Sequence, residues 1–218
     1  MAIKIIDVGI LKIPATRPLE PYEAAVIRGY LGRVFPEEPL LHHHIGTAFL
    51  YNYPKLQFKI IKHTAYIVGI EEGISLLDRI KNVMTKLKLE NNNIEFQEPV
   101  LEEKKERLGI SKKNIDYSFL TMWLALNEEN YRRYRKKKGG LSVLEQVLIG
   151  NILSMCKGLG YVVSDAIKVN LTVREVRTTL KGTPMLGFLG NFRVNFEIPE
   201  FLGLGKSVSR GFGTIGRL

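Results

Sequence analysis

Three consecutive histidines, His42, His43 and His44, are the side chains best suited to proton transfer in this 218-residue chain. Histidine gains and loses a proton near neutral pH, so it can act as a general acid or a general base. The segment lies between Pro39 and Gly46, which predicts a loop. In an extended segment, His42 and His44 would point to one side and His43 to the other. Catalysis by His42 or His44 is one interpretation, and a polar surface cluster or a metal-binding tract are the alternatives.

A second chemical feature is the glycine-rich segment 203–213, which reads GLGKSVSRGFG. Glycine lets the backbone approach a ligand closely, while Lys206 and Arg210 add positive charge that suits a phosphate. The dinucleotide fingerprint and the Walker loop are both excluded, because Val208 and Glu200 stand where those motifs require glycine. The segment therefore predicts a phosphate-bearing ligand, with a ligand-free glycine-rich hairpin as the alternative. The expected binding residues are Gly203, Gly205, Lys206, Ser207, Ser209, Arg210, Gly211 and Gly213.

A third feature is the basic segment 131–138, which reads YRRYRKKK and precedes two glycines. Its cations can neutralise phosphates, and its tyrosines and arginines can stack on unpaired bases. The glycines predict a mobile segment, and a solvated charge run is the alternative to a binding role. The candidate binding residues here are Arg132, Arg133, Arg135 and Lys136.

Composition narrows the class of partner. The chain carries 32 Lys and Arg against 22 Asp and Glu, a formal net charge of +10 with a pI of about 9.6. This excess favours a polyanion, nucleic acid before an anionic membrane surface. The single cysteine, Cys156, excludes an intrachain disulfide and is expected to be a core residue. We expect a cytoplasmic protein with no membrane partner and no cofactor, because no signal peptide, membrane-length apolar run or carboxylate metal cluster is evident.

The order of predicted elements indicates an α+β protein of two tandem ferredoxin-like domains, 1–108 and 109–218. In the first domain, a helix is expected to begin at Pro21. Its spacing places the following residues on one face: Tyr22, Ala25, Val26, Gly29 and Tyr30. The second domain repeats the βαββαβ plan, with the glycine-rich segment in place of its last helix. Its predicted elements are a strand at 117–126, an apolar helical stripe from 141 to 159, strands near 167–173 and 192–198, and a short strand at 212–215.

Residues 203–213 resemble the C-terminal glycine-rich loop of the CRISPR precursor-RNA-processing endoribonucleases of the RAMP superfamily. The family pattern is Gly-apolar-Gly, five residues including Lys or Arg, then Gly-apolar-Gly, and the segment matches it at every defined position. The region after the first helix is also similar to theirs. The residues that carry this second likeness are His42, His44, Tyr53, Pro54, Gln57 and Lys59.

The resemblance implies metal-independent cleavage of CRISPR repeat RNA. A ribose 2′-hydroxyl would attack the adjacent phosphate and leave a 2′,3′-cyclic phosphate and a 5′-hydroxyl. His42 or His44 would transfer the proton, and Tyr30 would position a reactive oxygen unless it is a core aromatic residue. Two alternatives remain: a noncatalytic RNA-binding subunit of a CRISPR effector complex, and a basic RNA-binding protein unrelated to CRISPR.

Overall fold

A computed structural model describes residues 3–41, 53–84, 94–136, 140–180 and 182–218, together with the backbone of 44–45, 48–49 and 88–89. The chain forms two compact units. The N-terminal unit comprises residues 5–106 with 209–211, and the C-terminal unit comprises 107–208 and 212–218 with residues 3–4. Both units combine antiparallel strands with helices, which confirms the predicted α+β class with tandem ferredoxin-like domains.

The N-terminal unit follows the predicted strand and helix order. Its elements are β1 Lys4–Ile13, α1 Glu23–Val34, β2 His44–Ile45, β3 Ala48–Phe49, β4 Leu56–Ile61, β5 Thr64–Ile70, a 3-10 turn Glu71–Leu76, α2 Leu77–Met84, β6 Lys88–Leu89, β7 Ile94–Glu95 and the long strand β8 Val100–Phe119. Strand β5 lies between β4 and β1, antiparallel to both, and β1 neighbours β8.

The buried face of α1 differs from the predicted one. Ala24, Ile27 and Leu31 are buried against the core of this unit, whereas Tyr22 is 65% exposed and Tyr30 is half-buried. The observed stripe has the i, i+3, i+7 spacing of an amphipathic helix. The prediction was wrong because Ala, Gly and Tyr fit either side of a helix, so the apolar pattern of this segment does not select one face.

The C-terminal unit is built around a long β-hairpin. Its elements after β8 are α3 Glu128–Arg135, α4 Gly140–Gly158, β9 Val169–Leu180, β10 Thr183–Glu197, a 3-10 turn Val208–Arg210 and β11 Ile215–Arg217. Strand β10 pairs with β9 from Val194↔Val169 to Thr183↔Leu180, and on its other side with β8. Strand β11 pairs with the end of β8. Most of the predicted stripe on α4 is buried, since Leu144, Leu148, Ile152 and Met155 face the core, whereas Leu141 at its start is exposed.

The structure of this unit differs from the prediction at three elements. The strand expected at 117–126 ends at Phe119, and the last strand begins at Ile215 rather than at residue 212. The segment expected to be mobile contains α3, which adds a helix to the predicted plan. Among the described residues, no helix has both the length and the apolar character needed to cross a membrane.

Candidate nucleic-acid interface

The C-terminal unit contains a cleft of about 520 Å³. Helix α3 and the residue that caps it line one side, the β9–β10 hairpin lines the other, and Lys206 of the glycine-rich segment completes the wall. The lining residues are Leu126, Asn127, Glu128, Tyr131, Arg135, Arg177, Thr178, Pro184, Met185, Leu186 and Lys206. The structure thus brings together two predicted binding residues, Arg135 and Lys206, which are 71 positions apart. It adds Arg177, which the sequence analysis missed.

Helix α3 is fixed at both ends by side chains. The Asn127 Oδ1 atom accepts a hydrogen bond of 2.7 Å from the Asn130 N–H, which caps the helix. At the other end, the Tyr134 ring meets Phe188 edge-on at 5.6 Å, and its hydroxyl donates to Glu175 Oε1 at 2.8 Å. Burial, followed by the neighbouring Glu175, raises the pKa of Tyr134 to about 12. Tyr134 therefore anchors the helix on the hairpin.

Tyr131 and Arg135 form a pair on the cleft side of α3. The Arg135 Nε–H donates to the Tyr131 hydroxyl at 3.1 Å, and the guanidinium carbon lies 5.4 Å from the ring centroid. This hydrogen bond, followed by the electrostatic influence of Tyr131 and Glu175, raises the pKa of Arg135. The pair places a flat aromatic ring and a permanent cation side by side.

The other predicted cations of this segment do not line the cleft. Arg132 is paired with Glu128 one turn earlier, and Arg133 donates to Gln146 Oε1 at 3.0 Å. Lys136 is the C-cap residue of α3. The prediction of a mobile segment was wrong. The Asn127 cap and the contacts of Tyr134 stabilise a helix here, and a run of cations alone does not indicate one.

Lys206 is held on the cleft wall by two hydrogen bonds. Its backbone N–H donates to the Leu124 carbonyl at 3.1 Å, and its Nζ donates to the Leu126 carbonyl at 2.9 Å. Partial burial lowers the pKa of Lys206. An ammonium group carries three donors, so the bond to Leu126 leaves capacity for a phosphate oxygen.

Three glycines of the segment 203–213 are required by close contacts within the protein itself. Gly213 has φ of +64°, and a Cβ there would lie 1.9 Å from the Leu204 carbonyl oxygen. Gly205 has φ of +92°, and its Cβ would lie 2.7 Å from the Trp123 Nε1 atom. At Gly203 a Cβ would lie 2.7 Å from the Val208 Cβ. The first triplet therefore wraps closely around Trp123 and Val208, and no side chain fits there.

Residues Ser209–Gly211 belong to the N-terminal unit. A Cβ at Gly211 would lie 3.1 Å from the Phe58 carbonyl oxygen and 3.5 Å from the Ala24 Cβ. Because residues i and i+4 of a helix share a face, Arg28 lies one turn from this contact. Burial, with a smaller contribution from the charge of Arg210, lowers the pKa of Arg28. Two guanidinium groups thus lie near each other, an arrangement that favours an anion between them.

Arg28 also holds the start of the histidine segment. Its Nη2 atom donates to the Leu41 carbonyl at 2.9 Å, directly before His42. No sequence pattern pointed to Arg28, because an isolated arginine on a helix is usually a solvated surface residue. The remaining hydroxyl residues of the loop, Ser207 and Ser209, are half-buried and buried respectively.

Lys59 is a buried lysine on β4. The residue is 1% exposed, and its Nζ donates to Gln57 Oε1 at 2.9 Å. The Gln57 Nε2 in turn donates to the Pro54 carbonyl at 3.0 Å. Burial lowers the pKa of Lys59 to about 7, so its charged and neutral forms coexist near neutral pH.

The predicted catalytic residues are only partly placed. His42 lies outside the described residues. The backbone of His44 pairs with Phe49 in the β2–β3 ladder, and Tyr30 packs against the core cluster of the N-terminal unit. Among the residues whose side chains the structure describes, no group of three or more His, Cys, Asp or Glu could hold a metal ion.

Two family models match the chain, the Cas6b N-terminal domain at residues 1–107 and the Cas6b C-terminal domain at residues 109–218. The chain belongs to the Cas6b family. A crystal structure of Cas6b is 35% identical, has a TM-score of 0.89, and matches over 97% of this chain and 100% of that chain. A crystal structure of the CRISPR RNA processing endoribonuclease Cas6b is 33% identical, with a TM-score of 0.77 and the same coverage. An uncharacterized protein of Methanocaldococcus jannaschii is 43% identical over 116 residues, 52% of this chain and 79% of that protein. These matches confirm the family that the glycine-rich segment indicated.

Proposed function

We propose that this Cas6b-family protein is an endoribonuclease that cuts CRISPR repeat precursor RNA into guide units. Cleavage proceeds without a metal ion, by attack of a ribose 2′-hydroxyl on the adjacent phosphate, and leaves a 2′,3′-cyclic phosphate and a 5′-hydroxyl. The observation that carries this proposal is the family match across both domains, together with the likeness to a CRISPR RNA processing endoribonuclease over 97% of the chain.

The N-terminal unit supplies the groups that this reaction needs. His42 or His44 removes the proton of the 2′-hydroxyl or protonates the leaving 5′-oxygen. Arg28 supports this role, because its bond to the Leu41 carbonyl ties the start of the histidine segment to α1. Arg28 and Arg210 stabilise the negative charge that develops on the phosphorane. Tyr30, half-buried against the core and one turn before the end of α1, orients a reactive oxygen.

The C-terminal unit binds the RNA chain. Arg135, Arg177 and Lys206 line a single cleft, and among the residues that the structure describes the only lining carboxylate belongs to Glu128, already paired with Arg132. Such an excess of positive charge attracts the phosphate backbone and adds affinity that depends on salt but not on sequence.

Replacing Arg135 and Arg177 together with alanine should weaken binding to many RNAs alike. Each lost phosphate contact should make the slope of log affinity against log salt shallower by about 0.7. The matched control is the Arg133→Ala and Lys136→Ala pair, which removes the same charge from residues outside the cleft lining and leaves the Arg132–Glu128 pair intact. Anisotropy titrations at several salt concentrations measure both slopes. Equal slopes for the two double variants would contradict a special role of the cleft.

The function itself is tested by incubating the protein with repeat RNA in EDTA and analysing the ends of the products. We expect one major cut within each repeat, with a 5′-hydroxyl on the downstream product and a cyclic phosphate, or its opened form, on the upstream one. Tight binding without any cut would instead indicate a noncatalytic RNA-binding subunit of a CRISPR effector complex. Cleavage only after magnesium is added would contradict the metal-independent mechanism.

A further inference from the structure

The cleft of the C-terminal unit has features that phosphate binding alone does not require. Its lining includes the apolar residues Leu126, Pro184, Met185 and Leu186, and Leu126 is only 6% exposed. A surface that binds only a phosphate backbone needs cations and donors but no apolar side chains. The Tyr131 ring at the mouth is 40% exposed, so one part of it is open to a ligand.

We propose that this cleft holds a single unpaired nucleotide of the bound RNA, with its base stacked on Tyr131 and its phosphate on Arg177 and Lys206. The proposal rests on the proposed function for the identity of the RNA. It goes further by naming an unpaired base, rather than a duplex, as the group that the cleft accepts.

The chemistry of the lining matches the three parts of a nucleotide. Aromatic and apolar side chains accept the face of a base, and the nearby Arg135 guanidinium extends the flat surface that Tyr131 offers. Arg177 of β9 and Lys206 of the glycine-rich segment line the same cleft, where they can neutralise a phosphate. Asn127 and Thr178 add polar side chains that can bond to the edge of a base or to a ribose hydroxyl.

The size of the cleft fits the same ligand. Sites for drug-sized molecules and cofactors usually enclose about 300–1,000 Å³, and a nucleotide belongs to that class. The cleft of about 520 Å³ falls within this range. Both the face and the pairing edge of a base are accessible to such a site only when the base is unpaired.

The test is an abasic scan of the repeat RNA. Each RNA lacks one base but keeps the sugar and phosphate, and its affinity for the full-length protein is measured by anisotropy on RNA that a gel shows to be intact. We expect one or two neighbouring positions at which the loss of the base weakens binding by about fivefold to a hundredfold, the usual effect of one stacked base.

Variants of Tyr131 assign that position to the cleft. Tyr131→Ala should weaken binding of intact RNA by a similar factor and remove the dependence on the critical base. Tyr131→Phe should retain both the affinity for intact RNA and the dependence on the critical base, because it keeps the ring and loses only the hydroxyl that contacts Arg135. Tyr22→Ala, at an exposed tyrosine of the N-terminal unit, is the matched control and should behave as the parental protein.

Three results would overturn the proposal. The first is that removal of the base weakens binding at no position. The second is that the Tyr131→Ala variant keeps the dependence on the critical base at full strength. The third is that a free nucleoside monophosphate binds the parental protein as tightly as the RNA does and does not bind Tyr131→Ala, which would make the ligand a free nucleotide. Cleavage of the same RNAs is followed in separate samples that are incubated for longer. RNA that is cut without a base-dependent loss contradicts only this proposal, whereas a base-dependent loss without cutting contradicts only the proposed function.

Discussion

Replacing both His42 and His44 with alanine is expected to slow the cleavage of repeat RNA by about a hundredfold or more. General acid–base groups usually contribute on this scale, because the reaction must move a proton from the 2′-hydroxyl and another to the leaving oxygen. RNA affinity should change little, since the cations of the C-terminal cleft remain. Single-turnover rates at saturating protein measure the chemical step separately from binding.

His63→Ala is the matched control for this experiment. His63 is the one histidine of the chain outside the segment 42–44. It lies at the β4–β5 turn, where its Nδ1 atom makes a structural contact of 3.1 Å with the Leu19 carbonyl oxygen. This variant should cleave at nearly the parental rate. If the double variant His42→Ala, His44→Ala also cleaves at the parental rate, the active site lies elsewhere in the protein.

Gly213→Ala is expected to destabilise the folded protein strongly. A left-handed backbone costs a residue other than glycine about 1–3 kcal/mol, and here the added Cβ would also collide with the Leu204 carbonyl oxygen at 1.9 Å. We expect the free energy of unfolding to fall by about 3 kcal/mol and the melting temperature by roughly 6–12 °C. Thermal unfolding followed by circular dichroism measures both.

Gly150→Ala provides the comparison at a site of the opposite kind. Gly150 lies in the interior of α4, and an added Cβ there meets no atom within 4 Å. Alanine is favoured over glycine inside a helix by about 0.5–1 kcal/mol, so this variant should be as stable as the parent or slightly more so. Equal melting temperatures for the two variants would show that the glycine-rich segment does not depend on its backbone geometry.

The sequence predicted the parts of the fold that rest on simple periodicity or on a specific motif. The alternating residues near the end of β10 and most of the apolar stripe on α4 are local patterns, and the structure confirms both of them. The two glycine triplets were also informative, because Gly205 in the first and Gly213 in the second have the positive φ values that make glycine necessary. These signals need only neighbouring residues to be recognised.

The missed features depend on contacts that are distant along the chain. Helix α3 is stabilised by Tyr134 against Phe188 and Glu175, which are 54 and 41 positions away, so its basic sequence alone indicated a loop. Arg177 joins the cleft only because the β9–β10 hairpin brings it opposite α3. Arg28 likewise became a candidate site residue only through its hydrogen bond to the Leu41 carbonyl, which no local sequence pattern indicates.

In the proposed mechanism, the 2′-hydroxyl at the cut site is the attacking group. Removing that one oxygen atom from the RNA tests the mechanism directly. Repeat RNA with one 2′-deoxy nucleotide at that position is compared with all-ribose RNA, in EDTA, at the same protein concentration. We expect cleavage at that position to be abolished while the dissociation constant stays within about twofold, a difference of under 0.5 kcal/mol. Undiminished cleavage of the deoxy substrate would contradict attack by the 2′-hydroxyl and, with it, the proposed mechanism.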